Sequence, residues 1–277
     1  MPLSDSELKS LKEKAAKLRN DIVDVTFWAG GAHIGGAMSM VDIITILYNK
    51  FMKFDSSNPD LEDRDRFVLS KGHTGVGLAP LLAEKGFFDK ETLKTFNQFN
   101  SPFGMHLDSL KVRGLDASTG SLGHGMPISL GMALAARVKG LNYKTYCLIG
   151  DGEMNEGSNW EAIMAAAHYK VTSLIPIVDF NKRMIDGEVK DIMSIDPLAD
   201  KWKAFGFDVI EINGHDFNQL NDAIEKANAA VDRPVVIIAN TIKGKGIDFM
   251  EDQTKWHYGS IDSTVVEKAK ASIAANS

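Results

Sequence analysis

The sequence predicts an α/β protein with a mostly parallel sheet that is flanked by helices on both faces. Three observations support this: unbroken apolar runs of strand length, helical apolar periodicity between them, and glycine-rich turns where runs end. Strands that are buried on both faces have such unbroken apolar runs, and strands alternating with helices are typical of βαβ units. No repeat, low-complexity tract or Pro/Ser linker divides the chain, so we expect one domain over residues 1–277.

A helix is expected over residues 4–29. Ser4 and Glu7 form a capping-box pattern, an apolar stripe at three- and four-residue spacing follows, and Gly30-Gly31 ends it. The later strands are apolar runs bounded by turn residues, and the later helices are periodic or alanine-rich. In chain order we expect helix 41–48, strand 67–69, a glycine-rich turn 120–125, helix 127–138, strand 146–149, helix 159–168, strands 174–180 and 206–212, helix 217–230, strand 234–240 and a helical or frayed tail 260–277.

The composition is that of an ordinary globular protein and excludes several kinds of partner. Hydrophobic residues make up 44% and charged residues 25%, and the net charge is −6. The basic residues form no stripe, so we expect no nucleic-acid partner. The N-terminus has no apolar signal core, and no apolar run approaches a membrane span. A single cysteine, Cys147, cannot form an internal disulfide, which favours a cytoplasmic protein.

The most informative motif is Gly150-Asp151-Gly152, which follows an apolar run. A second apolar run ends at Asn181, thirty positions after Asp151. In open α/β sheets, ligands bind outside the carboxyl ends of the strands, so these two side chains are expected to lie side by side. Hard oxygen ligands of this kind suit Mg²⁺, which completes its coordination with phosphate oxygens and water. The glycines let backbone N–H groups approach a diphosphate.

The segments GDGEMNEGSNWEAIMAAAHYK and PIVDFNKRMIDG resemble the thiamine diphosphate signature of the transketolase family. The resemblance implies a thiamine diphosphate-binding fold. It also implies that Asp151, Asn181 and the main-chain oxygen of Arg183 bind Mg²⁺ or another divalent cation such as Ca²⁺ or Mn²⁺. It further implies that Glu156 is a buried carboxylate of the cofactor interface. The other cofactor-binding residues that it implies are Gly120, Ser121, Leu122, Gly150 and Gly152.

Six of the seven histidines lie in expected loops, most of them beside glycine. By the resemblance, His33 lies near the reacting sugar, His106 contacts the donor sugar, and His73 and His257 reach the cofactor diphosphate. His33, His73 and His257 are therefore expected to bind substrate or relay protons. The chain departs from the family at Leu107, where proline is usual, which affects donor-sugar recognition. It also departs at His124, where glutamine is frequent, and at Phe180.

The resemblance covers only the first domain of full-length transketolases. In that family, the glutamate that activates the cofactor lies in the second domain. The chain is therefore interpreted as the N-terminal subunit of a split transketolase, which pairs with a separate C-terminal subunit carrying the pyrimidine domain, as α₂β₂. The expected reaction moves a two-carbon ketol unit from a ketose phosphate to an aldose phosphate, as in the pentose phosphate pathway.

Other interpretations remain open. The chain could be a transketolase-like enzyme for a modified sugar, the α subunit of a 2-oxo-acid dehydrogenase, or a cofactor-binding subunit without turnover. An NAD site is poorly supported, because the glycine-rich segments do not match the dinucleotide fingerprint. Glu153 and Glu161 are interpreted as solvated carboxylates at a helix start, and Lys243 and Lys245 as turn lysines rather than phosphate ligands.

Overall fold

Five strands form one parallel sheet in the computed structural model, which describes residues 2–276. Their spatial order is β1-β2-β3-β5-β4, and every neighbouring pair is parallel. The predicted α/β architecture is therefore confirmed. The strands are β1 (Arg66–Leu69), β2 (Thr145–Gly150), β3 (Leu174–Phe180), β4 (Asp208–Asn213) and β5 (Val235–Asn240).

Helices cover both faces of this sheet. In the described residues they are α1 (Asp5–Trp28), α2 (Ile34–Ser39), α3 (Val41–Ile46), α4 (Gly75–Glu84), α5 (Gly125–Lys139), α6 (Gly157–His168), α7 (Val189–Ile192), α8 (Leu198–Ala204), α9 (Phe217–Asn228) and α10 (Ser263–Ala275). None of them combines the length and the apolar character that a bilayer-spanning segment needs.

Alternating side chains of each strand divide the core into two layers. Tyr146 and Leu148 of β2 pack into the layer formed with α1, α3, α4, α9 and α10. Cys147 and Ile149 point to the opposite face and pack into the layer formed with α5, α6 and α8. Because both faces are covered, β2, β3 and β5 are buried almost without interruption, as their apolar runs predicted, whereas the edge strand β4 is partly exposed.

The first helix begins as expected. Ser4 Oγ accepts a hydrogen bond from the backbone N–H of Glu7 at 3.3 Å, and a Glu7 carboxylate oxygen accepts one from the backbone N–H of Ser4 at 2.8 Å. The tail is helical as α10, while residues 1 and 277 lie outside the described part of the chain. The helix expected over 41–48 is shorter, since α3 passes into a π-helical turn, Leu47–Phe51.

Two buried helices, α2 and α4, were not predicted, because glycines and Pro80 interrupt their sequence patterns. Here glycine serves close packing rather than a turn. A Cβ at Gly77 of α4 would lie 2.4 Å from the Met40 side chain, and one at Gly35 of α2 would lie 2.6 Å from the Trp256 carbonyl oxygen. The two helices bring residues 33–39 and 71–75 against the strand ends.

Candidate active site

A cavity of approximately 340 Å³ lies at the carboxyl ends of β1, β2, β3 and β5. It is the place where an open α/β sheet binds its ligand. One predicted site residue, Ser121, does not line the cavity. It is exposed, although its neighbours Gly120 and Leu122 line the cavity. The predicted residues that line it are His33, His73, His106, Gly120, Leu122, Gly150, Asp151, Gly152, Glu156, Asn181, Arg183 and His257.

The ends of β2 and β3 bring Asp151 and Asn181 together. Gly150 pairs with Asp179 in the parallel register, so the two chains leave the sheet side by side. One Asp151 carboxylate oxygen accepts a hydrogen bond from Gly152 N–H at 2.8 Å, and the other accepts one from the backbone N–H of Lys182. The predicted juxtaposition is present.

Asp151 is a buried carboxylate at the end of β2. Burial, and then the nearby charge of Asp179, raise its pKa to about 7. Within residues 2–276 no group of three or more His, Cys, Asp or Glu side chains is arranged to hold a metal. One carboxylate and one amide oxygen suit an ion that takes most of its ligands from phosphate and water, so these residues fit Mg²⁺.

The turns at the strand ends leave room for a ligand. A Cβ at Gly150 would have nothing closer than the Lys71 side chain at 3.7 Å, so this glycine opens space in the cavity. Gly123 has a φ of +86°, and a Cβ there would lie 2.5 Å from Glu156 Cβ. Gly150 therefore leaves its backbone open to a ligand, whereas Gly123 allows the glycine-rich turn to pack against Glu156.

Lys243 also lies in the cavity, which sequence reasoning missed. Its side chain is only 2% exposed, and its Nζ donates to the Arg183 carbonyl oxygen at 3.0 Å and lies 2.6 Å from His257 Nδ1. Burial, and then the charge of Lys71, lower its pKa to about 8. Lys243 thus lies in a turn, as interpreted, but its burial on the cavity wall was not expected. Its position directly after the end of β5, beside β3, was the available signal.

Lys245, two residues further on, behaves as a turn lysine. Its Nζ pairs with Glu251 at 3.1 Å, and it does not line the cavity. Both lysines of the KGKG segment lie in turns, but only Lys243 points into the cavity.

Three histidines form a cluster over the cavity. The ring centroids of His33 lie 5.0 Å from His73 and 5.2 Å from His257, and those of His73 and His257 lie 5.5 Å apart. His33 Nδ1 is buried and has no hydrogen-bond partner within the described residues. Such an orphaned polar atom on a cavity wall suits a polar ligand.

The three imidazoles are neutral near pH 7. Burial is the main cause that lowers the pKa of His33 to about 4, of His73 to about 2 and of His257 to about 3. Neighbouring positive charge adds to the effect: Lys71 for His73, and Lys243 for His257. A neutral imidazole has one donor and one acceptor nitrogen, so each ring can hold or pass a proton.

We expect the free energy of unfolding to fall as the pH drops from about 6.5 to about 5. Because the folded-state pKa values lie below the unfolded value, the unfolded chain binds protons that the folded chain does not. Each imidazole then contributes a slope of up to about 1.4 kcal/mol per pH unit. Urea denaturation at several pH values checks this. His73→Gln should flatten the slope, whereas a matched change at the exposed His168 should leave it unchanged.

Two glutamates of the GDGEMNEG segment line the cavity, and Glu153 departs from its expected setting. Glu156, expected as a buried carboxylate of the cofactor interface, lies exposed on the cavity rim of this single chain. Glu153, expected to be solvated, is 3% exposed and accepts hydrogen bonds from Ser70 Oγ, Gly123 N–H and Gly150 N–H. Burial is the main influence that raises its pKa. Glu153 thereby joins the end of β1, the glycine turn and the end of β2.

A buried ion pair, Lys71 with Asp179, lies at the cavity, and Lys71 is part of its wall. Lys71 Nζ donates to a carboxylate oxygen of Asp179 and, at 2.7 Å, to the Gly36 carbonyl oxygen. The hydroxyls of Ser39 and Thr241 also donate to Asp179. Burial alone would raise the pKa of Asp179, but Lys71 and these hydrogen bonds keep it below its ordinary value. This carboxylate connects α2 with the loops that follow β1 and β5.

The parallel sheet and its strand-end cavity define the class as an α/β domain that binds its ligand at the carboxyl ends of the strands. The family model described as "Transketolase, thiamine diphosphate binding domain" matches residues 10–276. The chain belongs to the transketolase family.

The relatives show which part of a transketolase this chain corresponds to. It is 37% identical to a subunit of the apulose-4-phosphate transketolase of Phocaeicola vulgatus, with 95% of this chain and 93% of the relative covered. It is 41% identical to a 6-deoxy-6-sulfo-D-fructose transketolase subunit of a Clostridium species, with 89% and 90% covered. The chain is thus an N-terminal subunit of the split transketolase type.

Full-length transketolases match over a smaller share of their own length. The Campylobacter jejuni transketolase structure superposes with a TM-score of 0.90 at 33% identity, covering 96% of this chain and 43% of that one. Human transketolase is 34% identical over 95% of this chain and 42% of its own length. The family match favours transketolase over the 2-oxo-acid dehydrogenase and NAD interpretations.

Proposed function

We propose that this chain, as a single domain over residues 1–277, holds the diphosphate of thiamine diphosphate through a divalent cation. Asp151, Asn181 and the main-chain oxygen of Arg183 would bind the cation, with Mg²⁺ the best match and Ca²⁺ or Mn²⁺ as substitutes. The observation that carries the proposal is the meeting of this strand-end pair with three neutral imidazoles in one cavity. The glycine turns, with Gly120, Ser121 and Leu122 on one side and Gly150 and Gly152 on the other, would approach the cofactor.

Bound thiamine diphosphate would supply the electron sink for breaking the carbon–carbon bond of a ketose. The residues of this chain would bind, orient and move protons. His33 and His106 would contact the sugar, while His33, His73 and His257 would relay its protons, and His73 and His257 would also reach the diphosphate. When Lys243 donates to His257 Nδ1, the neutral ring carries its hydrogen on Nε2 and can act as a donor.

A separate subunit would complete the site. Glu156 and two apolar side chains, Ile185 at 64% and Met193 at 61% exposure, are uncovered near the cavity. We propose that a C-terminal subunit with the pyrimidine domain covers this rim, in an α₂β₂ enzyme. Its reaction would transfer a two-carbon ketol unit from a ketose phosphate to an aldose phosphate. The free, buried Cys147 fits a reducing cytoplasm.

Reconstitution tests this function. The purified chain, its pyrimidine-domain partner and their mixture are each assayed with thiamine diphosphate, Mg²⁺, xylulose 5-phosphate as donor and ribose 5-phosphate as acceptor. We expect transfer only by the mixture. Transfer by this chain alone would contradict the split enzyme. Cofactor binding by calorimetry without transfer of any ketose would support a binding subunit without turnover.

A modified ketose is the second candidate donor. Leu107 follows the sugar-contacting His106 where the family usually has proline, and the side chain of Leu107 is buried. The names of two relatives contain apulose 4-phosphate and 6-deoxy-6-sulfo-D-fructose. Comparing kcat/KM for these ketoses with that for xylulose 5-phosphate in the same mixture decides between the two candidates.

A further inference from the structure

A buried charge network lies behind the loop that carries Lys243. Asp42 of α3 receives two hydrogen bonds from the Arg19 guanidinium of α1, at 3.1 and 2.6 Å. His215, in the turn after β4, places its Nδ1 2.8 Å from the same carboxylate. Burial would raise the pKa of Asp42, but Arg19 and His215 lower it to about 2. We call Arg19, Asp42 and His215 the Asp42 network.

The Asp42 network holds both ends of the segment 242–245. The backbone N–H of Ile242 donates to His215 Nε2 at 2.9 Å, and the guanidinium Nε of Arg19 donates to the Lys245 carbonyl oxygen at 3.1 Å. Because Nε2 accepts, neutral His215 carries its hydrogen on Nδ1 and donates it to Asp42. Asp42 therefore holds the side chains of both Arg19 and His215 in place.

The segment held in this way has little freedom to move. Gly246 has a φ of +94°, and a Cβ there would lie 2.8 Å from the Arg19 side chain. Between the two anchored ends, Gly244 N–H donates to the Gly35 carbonyl oxygen at 2.9 Å. Lys243 therefore leaves a rigid turn and reaches Arg183 and His257 on the cavity side.

We propose that Arg19, Asp42 and His215 are positioning residues that set the place of Lys243 and, through it, of His257. None of the three lines the cofactor cavity, so their effect on the site passes through the segment 242–245. The sequence motifs do not indicate this role, because the contacts join distant positions. Arg19 is 226 positions from Lys245, and His215 is 27 positions from Ile242. Of the two tests below, only the measurement of cofactor affinity rests on the proposed function.

The first test needs no cofactor. The ¹⁵N spectrum of the His257 imidazole in the purified chain reports whether Nδ1 accepts a hydrogen bond. We expect His215→Phe to move this signal towards that of Lys243→Met. His215→Gln, which keeps an acceptor and a donor, should restore the signal.

Arg19→Lys provides a second variant should His215→Phe not fold, because it keeps the charge beside Asp42 but should loosen the segment 242–245. His168→Phe, at an exposed site on α6, is the matched control. A His257 signal that is unchanged in folded His215→Phe and Arg19→Lys would overturn the proposal.

The second test is a double-mutant cycle on cofactor affinity, with the pyrimidine-domain subunit present. Calorimetry gives the Kd of thiamine diphosphate with Mg²⁺ for His215→Phe, Lys243→Met and the double variant. We expect His215→Phe to weaken binding about tenfold, which corresponds to about 1.4 kcal/mol, and the double variant to bind no more weakly than Lys243→Met. Additive losses would show that His215 does not act through Lys243. If the unmodified chain bound no cofactor, the proposed function would fail, while the His257 spectrum would still test the positioning role.

Discussion

Replacing Asp151 with alanine is expected to abolish metal-dependent binding of thiamine diphosphate. Asp151 is the only carboxylate predicted to bind the cation, and the neutral oxygens of Asn181 and Arg183 offset little charge on their own. Loss of outer-shell partners alone weakens metal sites by about 10- to 100-fold, so the loss of a direct carboxylate should cost at least about 100-fold. Calorimetry of the cofactor, with and without Mg²⁺ and with the partner subunit present, measures the effect.

Two further variants make this result specific. Asp151→Asn keeps the shape and one oxygen but removes the charge, so its affinity should fall between those of the alanine variant and the unmodified chain. Asp186 is exposed on the loop after β3 and does not line the cavity, and its alanine variant should bind normally. Should Asp151→Ala bind the cofactor with unchanged affinity and unchanged metal dependence, the cation is held elsewhere and the site assignment fails.

The strand ends of this site were readable from sequence for a simple reason. A strand buried on both faces requires an unbroken apolar run, so the polar residue that follows it marks the sheet edge. Asp151 directly follows such a run in β2. Asn181 follows β3, whose apolar run holds one buried carboxylate, Asp179, and parallel pairing of β2 with β3 brings Asp151 and Asn181 together. The local sequence pattern predicts the strand ends correctly, because a strand stays apolar where it is buried and becomes polar where it leaves the sheet.

The buried charges of the site were not readable in the same way. A lysine or glutamate in a turn is usually solvated, and only distant partners decide otherwise. Lys71 is 108 positions from Asp179, and Glu153 is 83 positions from Ser70. Such pairs carry no periodic pattern, so the sequence shows the residue types but not their burial.

Lys71→Met is expected to lower the free energy of unfolding by about 3–5 kcal/mol, because it leaves the Asp179 carboxylate buried without its counter-charge. Lys71 and Asp179 are 2% and 0% exposed, so water cannot replace the lost partner. Asp179→Asn should also destabilise the chain, since it leaves the Lys71 ammonium buried without a counter-charge. Urea denaturation, with the midpoint and m-value both recorded, measures each change.

The double variant separates a buried ion pair from simple loss of packing. Lys71→Met combined with Asp179→Asn leaves no buried charge, and asparagine can still bond the hydroxyls of Ser39 and Thr241. Its cost should therefore be well below the sum of the single costs. The exposed pair Lys9–Glu13, 3.9 Å apart, provides the control, because Lys9→Met should change stability by no more than about 0.5 kcal/mol. Additive single costs, or a Lys71→Met variant as stable as the control, would mean that Asp179 does not depend on Lys71 and that other contacts hold α2 to the strand ends.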